Sequence, residues 1–292
     1  MNGSLVGLVN GSAVAIIGDT QAKAIVDAVC PQFPVFDDID MALRSAAKVH
    51  TICILAPKFA TLDSIRTIVD AGVNVLCGGP PTATRQQLSQ LDQMARQRQV
   101  RIRLGGRERH VPQMLRLKQL RESQAFGEPV YARSVTGGGT SILAAWWSMC
   151  ELLAGANWLL HSQPQKIVIG ATRKGRARLH IVMTVAMANR ANAQLCVAPG
   201  VGGNLADTWL LGSGGTLSSR SEDGDIIVAQ PGRRDVLGRL DPATLGERQW
   251  IAEFVGEGKI GLLTEVSTLE TNNRLLSVLR RSLKQGRLLP CY

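Results

Sequence analysis

Short apolar runs alternate with segments of helical period through the first 125 residues, and this alternation constrains the fold more than any other feature. The runs Ala13–Ile17, His50–Ala56, Val73–Cys77 and Val100–Leu104 are each followed directly by Gly or Pro. Between them Thr20–Val29, Ile39–Ala47, Thr61–Ala71 and Thr84–Arg98 carry helical patterning, with Val35–Phe36 a short extended piece. A further helix is expected over Pro112–Glu122. Strands buried on both faces read as continuous apolar runs, and strand–helix–strand order requires parallel neighbours flanked by helices.

After Gly127 the texture changes. Pro129–Val135, Lys166–Ala171, Leu179–Ala188, Ala193–Ala198, Asp207–Leu211, Gly215–Ser219 and Ile226–Ala229 read as short strands separated by turn residues. Their alternation predicts a mostly antiparallel sheet with one solvated or partner-covered face. Helices over Ile142–Leu160, Gly246–Gly256 and Leu269–Gln285 are expected to pack on it. The expected fold is therefore α/β. A parallel-sheet domain spans 1–125, and an α+β domain with a large, mostly antiparallel sheet spans 126–292.

Hydrophobic residues at 45% and charged residues at 19% describe a globular protein. Six scattered cysteines, with no Cys-X-X-Cys pair, argue against a metal site and fit reduced thiols in a cytoplasm. The first 17 residues lack a basic start and are interrupted by Asn10-Gly11, so neither a signal peptide nor a membrane span is expected. The net charge of +10 includes a basic segment, Arg96–Arg121, whose only acid is Glu108. Such a segment can attract phosphates. Aromatics make up only 4% and do not interleave with it, so nucleic-acid binding is not expected.

The stretch Ala71-Gly-Val-Asn-Val-Leu-Cys77-Gly78-Gly79-Pro80-Pro81 resembles a signature segment of the glucose–fructose oxidoreductase/inositol dehydrogenase/MocA family. Phe126-Gly-Glu-Pro-Val-Tyr-Ala-Arg133, Leu211-Gly-Ser-Gly-Gly-Thr-Leu217, Ser267-Thr-Leu-Glu270 and the segment Leu279–Arg287 resemble later motifs of that family in the correct order. The resemblance thus runs through nearly the whole chain. It implies a Rossmann-like first domain and NAD(P)-dependent oxidoreductase chemistry. It also marks departures. The family writes Glu-Lys-Pro where this chain has Gly78-Gly79-Pro80, and that lysine serves the reaction and contacts the nicotinamide.

A Gly-X-Gly-X-X-Gly phosphate turn has no match near the start. Val14-Ala-Ile-Ile-Gly-Asp19-Thr20 resembles the family's second strand, which makes Asp19 the acid for the adenosine ribose. A rival register takes Ala13–Ile17 as strand one and Gly18-Asp19-Thr20 as its turn. Asn10-Gly11 between apolar runs is a type I′ hairpin signal, so Leu5–Val9 is expected to pair antiparallel with Ala13–Ile17. Leu55-Ala56-Pro57 resembles the family's Ala-Thr-Pro, whose backbone passes close to the cofactor. The cofactor-contacting positions implied are Asp19, Ala56, Pro57, Gly78 and Gly79.

The family also carries a His-X-X-Asp pair. Anchored on Trp158-Leu-Leu-His161-Ser-Gln-Pro164, that register puts Glu151 at the histidine position and Ala154 at the aspartate. Glu151 is the remaining candidate acid–base group. His161 falls in a glycine slot at a helix end, where it is expected to meet terminal carbonyls. Arg109 and Pro112 match a further family stretch, and His180 is read as facing a sheet.

These departures lead to the expectation of an oxidoreductase-family protein that has lost hydride transfer and serves as a scaffold, sensor or partner subunit, with no cofactor. The alternative is a divergent NAD(P)-dependent oxidoreductase, using NAD or NADP on a small-molecule or sugar-like substrate. A homodimer or heteromer is expected through the second sheet's open face, on the apolar content of Ile181, Val182, Met183, Val185 and Met187.

Overall fold

The computed structural model describes residues 7–9, 12–18, 23, 33–45, 49–123, 125–137, 141–174, 178–198, 206–219, 225–237, 246–264 and 266–291. In chain order the strands begin β1 (Gly7–Val9), β2 (Ser12–Ile17), β3 (Val35–Phe36), β4 (Thr51–Ile54), β5 (Asn74–Cys77) and β6 (Arg101–Leu104). They continue β7 (Pro129–Thr136), β8 (Pro164–Lys174), β9 (Arg178–Met187), β10 (Asn192–Val197) and β11 (Ala206–Gly212). The last are β12 (Gly215–Ser219), β13 (Ile226–Gln230), β14 (Arg233–Leu237), β15 (Gly261–Leu262) and β16 (Leu289–Cys291). The helices are α1 (Ile39–Ser45), α2 (Leu62–Asp70), α3 (Arg85–Gln97), α4 (Pro112–Arg121), α5 (Ile142–Leu160), α6 (Gly246–Gly256) and α7 (Val266–Gln285).

The chain divides into two compact units that interleave in sequence. Met1–Arg107 joins Ala243–Asn273 in the first, and Glu108–Pro242 joins Arg274–Tyr292 in the second. The sequence had suggested a single boundary after residue 125. A late segment returns to the first unit, and no local pattern announces that return.

The first sheet runs β1-β2-β4-β5-β6-β15, with β3 beside β2 at the end opposite β1. All its pairs are parallel except β1–β2. That hairpin pairs Gly7 with Val14 and Val9 with Ser12, leaving the Asn10-Gly11 positions as its two-residue connection. The turn residues themselves, like the Thr20–Val29 helix apart from Lys23, lie outside the described residues. Thr61 caps α2 by accepting the Ser64 N–H at 3.1 Å, and Thr84 opens α3 with a capping box to Gln87.

Helix α6 corrects one expectation. It packs on the first sheet rather than the second, with Trp250, Ile251 and Phe254 against Val14, Ile16, Cys53 and Leu76. The cause lies on β6. Arg101 donates to the carbonyls of Phe254 (3.2 Å), Val255 (3.1 Å) and Glu257 at the helix C-terminus, where the last carbonyls run out of intrahelical partners; that of Phe254 also accepts the Glu257 N–H (3.2 Å). Arg103 adds ion pairs to Glu253 (2.9 Å) and Glu257 (3.4 Å). Strand β15 follows, with the Leu262 N–H held by Asp92 at 2.7 Å.

The second sheet runs β14-β13-β12-β11-β7-β10-β9-β8-β16 and is antiparallel except where β7 meets β10. Helix α5, capped by Ser141 on the Ala144 N–H, packs on β7, β9 and β10. Alternation along the strands sends Ile181, Met183, Val185 and Met187 to a face where none is more than 1% exposed. Of the five apolar residues read as an interface, only Val182 points the other way, at 39% exposure. The period-two pattern located a buried face correctly, but an intramolecular layer covers it. Among the described residues no helix is long and apolar enough to cross a membrane.

Candidate functional site at the strand ends of the first sheet

From β2 the chain passes to β3 on one side and then to β4 on the other. Strand order therefore reverses between β2 and β4, and in open α/β sheets ligands bind beyond the carboxyl ends of strands at such a point. The rim there is built from Gly18, Leu55–Pro57, Gly78–Pro81 and Gly105–Gly106, the Gly or Pro that follows each apolar run and its neighbours. Four of its N–H groups already extend the ladder. Gly18 donates to Phe36 (2.9 Å), Leu55 to Ile17 (2.9 Å), Gly78 to Ile54 (2.8 Å) and Gly105 to Cys77 (2.8 Å).

Of the residues singled out in sequence, the structure gathers Ala56, Pro57, Gly78 and Gly79 on this rim. Ala56 is extended (φ −110°, ψ 131°) and 2% exposed, and Pro57 starts a short 3-10 turn ending at Phe59. Gly78, Gly79, Pro80 and Pro81 are all buried. Neither Gly78 nor Gly79 has a positive φ, so this backbone does not demand glycine; what it loses is a side chain. Asn273 fixes the segment's far end, donating to the Ala83 carbonyl at 2.6 Å and accepting its N–H at 3.4 Å. Burial pushes the Cys77 thiol up to about 12, partly offset by a hydrogen bond from the Gly79 backbone. It stays protonated and is no nucleophile. Asp19 lies outside the described residues, as do 20–22, so the helix start that would hold a pyrophosphate in the rival register falls there too.

Sequence reasoning missed Trp250. Its indole Nε1 is buried with no hydrogen-bond partner among the described residues and lies 3.9 Å from where a Cβ on Gly106 would sit. Gly105 and Gly106 have φ of 88° and 91°, a conformation that does favour glycine. The double glycine after an apolar run was the available signal. For a nicotinamide ring, the described rim fits as a neutral, apolar wall of Ala56, Pro57, Gly78 and Gly79.

The other candidates lie in the second unit. Glu151 is half-buried in the third turn of α5, with Ala154 one turn on. His161 follows the helix in the left-handed conformation (φ 49°), so it does occupy a glycine-like slot. Its backbone N–H donates to the Asn157 carbonyl, while its ring Nε2 accepts from Lys118 Nζ rather than meeting carbonyls. Burial, then Arg121 and Lys118, lower its pKa below the usual histidine value, against a raising effect of Glu122. His180 is half-buried on β9, and Arg109 is exposed.

The basic segment is not a free cationic face. Arg96 pairs with Asp92 (2.9 Å), Arg98 with Asp70 (3.4 Å), Arg101 and Arg103 with α6 as above, and Lys118 with Glu122 (3.0 Å). Among the described residues no cluster of three or more His, Cys, Asp or Glu could hold a metal ion.

Residues 8–105 match the model of a family described as an oxidoreductase family with an NAD-binding Rossmann fold. No curated protein matches the chain. Among solved structures, the chain is similar to a dehydrogenase from Chromobacterium violaceum, with a TM-score of 0.71 and 14% identity over 94% of this chain and 95% of that one. It is similar to an NAD-binding oxidoreductase from Klebsiella pneumoniae, with a TM-score of 0.68 and 18% identity over 96% and 98%. An oxidoreductase from Agrobacterium radiobacter in complex with NAD+, L-tartaric acid and magnesium gives a TM-score of 0.66 and 13% identity over 96% and 92%. At such identities the likeness establishes the fold, in both units.

Proposed function

We propose that this chain, a member of the glucose–fructose oxidoreductase/inositol dehydrogenase/MocA family through residues 8–105, is a divergent NAD(P)-dependent oxidoreductase acting on a small-molecule or sugar-like substrate. One observation carries the reading. The family-matched segment contains the rim at which strand order reverses, from Gly18 through Leu55–Pro57 and Gly78–Gly79 to Gly105. On this reading Ala56, Pro57, Gly78 and Gly79 wall the nicotinamide, and Asp19 takes the adenosine ribose. The bound nicotinamide supplies or accepts the hydride. Glu151, in the position that the resemblance gives to histidine, takes or returns the substrate hydroxyl proton through its carboxylate.

A second reading has its own support. Gly79 stands where the family has its lysine and is buried, and the neighbouring Cys77 thiol cannot replace an ammonium. Hydride transfer is then lost, and the chain is a scaffold, sensor or partner subunit with no cofactor. Titration with NADH and NADPH, followed by nucleotide fluorescence, separates the two. Micromolar binding supports the enzyme, and Glu151→Gln should then lower turnover by roughly 10²–10⁴. No binding at millimolar nucleotide leaves only the second reading.

A further inference from the structure

Most described cations of the first unit are already committed within it. Arg66, Arg85, Arg96, Arg98 and Arg103 each pair with a carboxylate, and Arg101 is tied to the end of α6. The side chains of Arg44, Lys58 and Lys259 make neither an ion pair nor a hydrogen bond with a described residue. Topology separates these three. In a parallel sheet a segment that leads into a strand lies at its amino end, and one that leaves it lies at its carboxyl end. Arg44 closes α1 on the way into β4, and Lys259 comes two residues before β15. Lys58 instead follows its strand, four residues beyond the last residue of β4, on the rim.

Lys58 also stands where strand order reverses. Ile17 of β2 pairs with Ile54 of β4, and the Leu55 N–H donates to the Ile17 carbonyl at 2.9 Å. Neighbouring strands are about 4.8 Å apart, a gap that the four-carbon stem of a lysine can cross. Lys58 is exposed, and its Nζ lies over the Phe59 ring, 4.5 Å from the centroid. That contact orders an ammonium without neutralising it. The turn after β2 brings Asp19 and no Gly-X-Gly-X-X-Gly, so the sequence offers an acid on the side where a dinucleotide would bring two negative phosphates.

We propose that Lys58 is the pyrophosphate anchor of this chain. Its ammonium, reaching from the end of β4 across the point of reversal, holds the diphosphate of NAD(H) or NADP(H) in place of a glycine-rich turn. The inference rests on the oxidoreductase reading above. A lysine suits the task because a compact charge with three rotatable donors can bind phosphate oxygens without a preformed cradle. The anchor does not choose between the two nucleotides, since the 2′-phosphate of NADP(H) hangs from the adenosine ribose and not from the diphosphate.

The test titrates the full chain with NADH and NADPH, read by nucleotide fluorescence, beside Lys58→Met, Lys58→Arg and Lys259→Met. Lys58→Met should weaken both nucleotides by the same factor, roughly tenfold or more, and Lys58→Arg should recover most of that loss. Lys259→Met, which removes an unpaired cation at the opposite ends of the strands, should bind as the unsubstituted chain does. Added NaCl should weaken binding more steeply in the unsubstituted chain than in Lys58→Met. Methionine keeps the stem over Phe59, and an unchanged melting temperature would show that the variant folds. Binding that ignores Lys58→Met overturns the anchor and leaves the oxidoreductase reading standing. Equal losses in Lys58→Met and Lys259→Met overturn it in favour of a diffuse field, and a loss confined to NADPH overturns it in favour of a 2′-phosphate contact. No binding of either nucleotide to the unsubstituted chain at millimolar concentration removes the anchor and the oxidoreductase reading together.

Discussion

The two units handle charge in opposite ways. In the first, positive side chains are spent inside the fold: Arg101 and Arg103 on the end of α6, Arg96 on Asp92, Arg98 on Asp70. In the second, Arg173, Arg280, Arg281, Lys284 and Arg287 make no ion pair with any of the described residues. A sequence-level count treats both populations alike. The densest basic run, Arg96–Arg121, is largely structural, while a sparser set separated by a hundred residues converges on one edge. Charge density along a chain is therefore a poor guide to which cations the fold itself uses.

The comparison can be broken most directly at Arg101. Replacing it with Met keeps the aliphatic stem and takes the guanidinium from the Phe254, Val255 and Glu257 carbonyls at the end of α6, of which only that of Phe254 keeps a backbone donor, the Glu257 N–H. Chemical denaturation should show a loss of about 2–3 kcal/mol. The matching change at an exposed edge cation, Arg281→Met, should stay within about 0.5 kcal/mol. Equal effects at the two sites would erase the distinction between structural and free cations.

A smaller effect sharpens the picture of the rim. Gly106→Ala places a Cβ at φ 91° and should cost about 1–2 kcal/mol from the backbone alone, since only the Trp250 indole lies near that atom. No loss in a thermal melt would mean that the double glycine is not held in this conformation.

Much of the fold was legible because it is local. Four strands of the first sheet, β2, β4, β5 and β6, announced themselves as runs closed by Gly or Pro, and the hairpin signal before β2 matches the antiparallel pairing of β1 with β2. Ala56, Pro57, Gly78 and Gly79 were singled out by resemblance, and they lie where two of those runs end. What stayed hidden depends on distant partners. Trp250 and Phe254 show that α6 has a buried side, but only Arg101 and Arg103, some 150 residues earlier, decide which sheet receives it. Strands β15 and β16, of two and three residues, are too short to carry a period. The apolar face of β9 could be read as buried, yet nothing in its own pattern says whether a helix or a second chain covers it.

The mildest test concerns Lys118, which in the second unit meets the His161 imidazole as well as the Glu122 carboxylate. Lys118 can donate to His161 Nε2 only while that imidazole is neutral. Folding lowers the His161 pKa from its reference of 6.5, so the folded protein binds that proton more weakly than the unfolded chain. The stability from this link is therefore complete above pH 6.5 and declines as the pH falls below it. Histidine resonances followed by NMR should place His161 below the usual midpoint. Lys118→Met removes a repelling charge and should raise that midpoint, whereas Glu122→Gln removes an attracting one and should lower it further. A midpoint that neither substitution moves would detach His161 from Lys118, leaving only the backbone reason for a residue in the left-handed conformation at the end of α5.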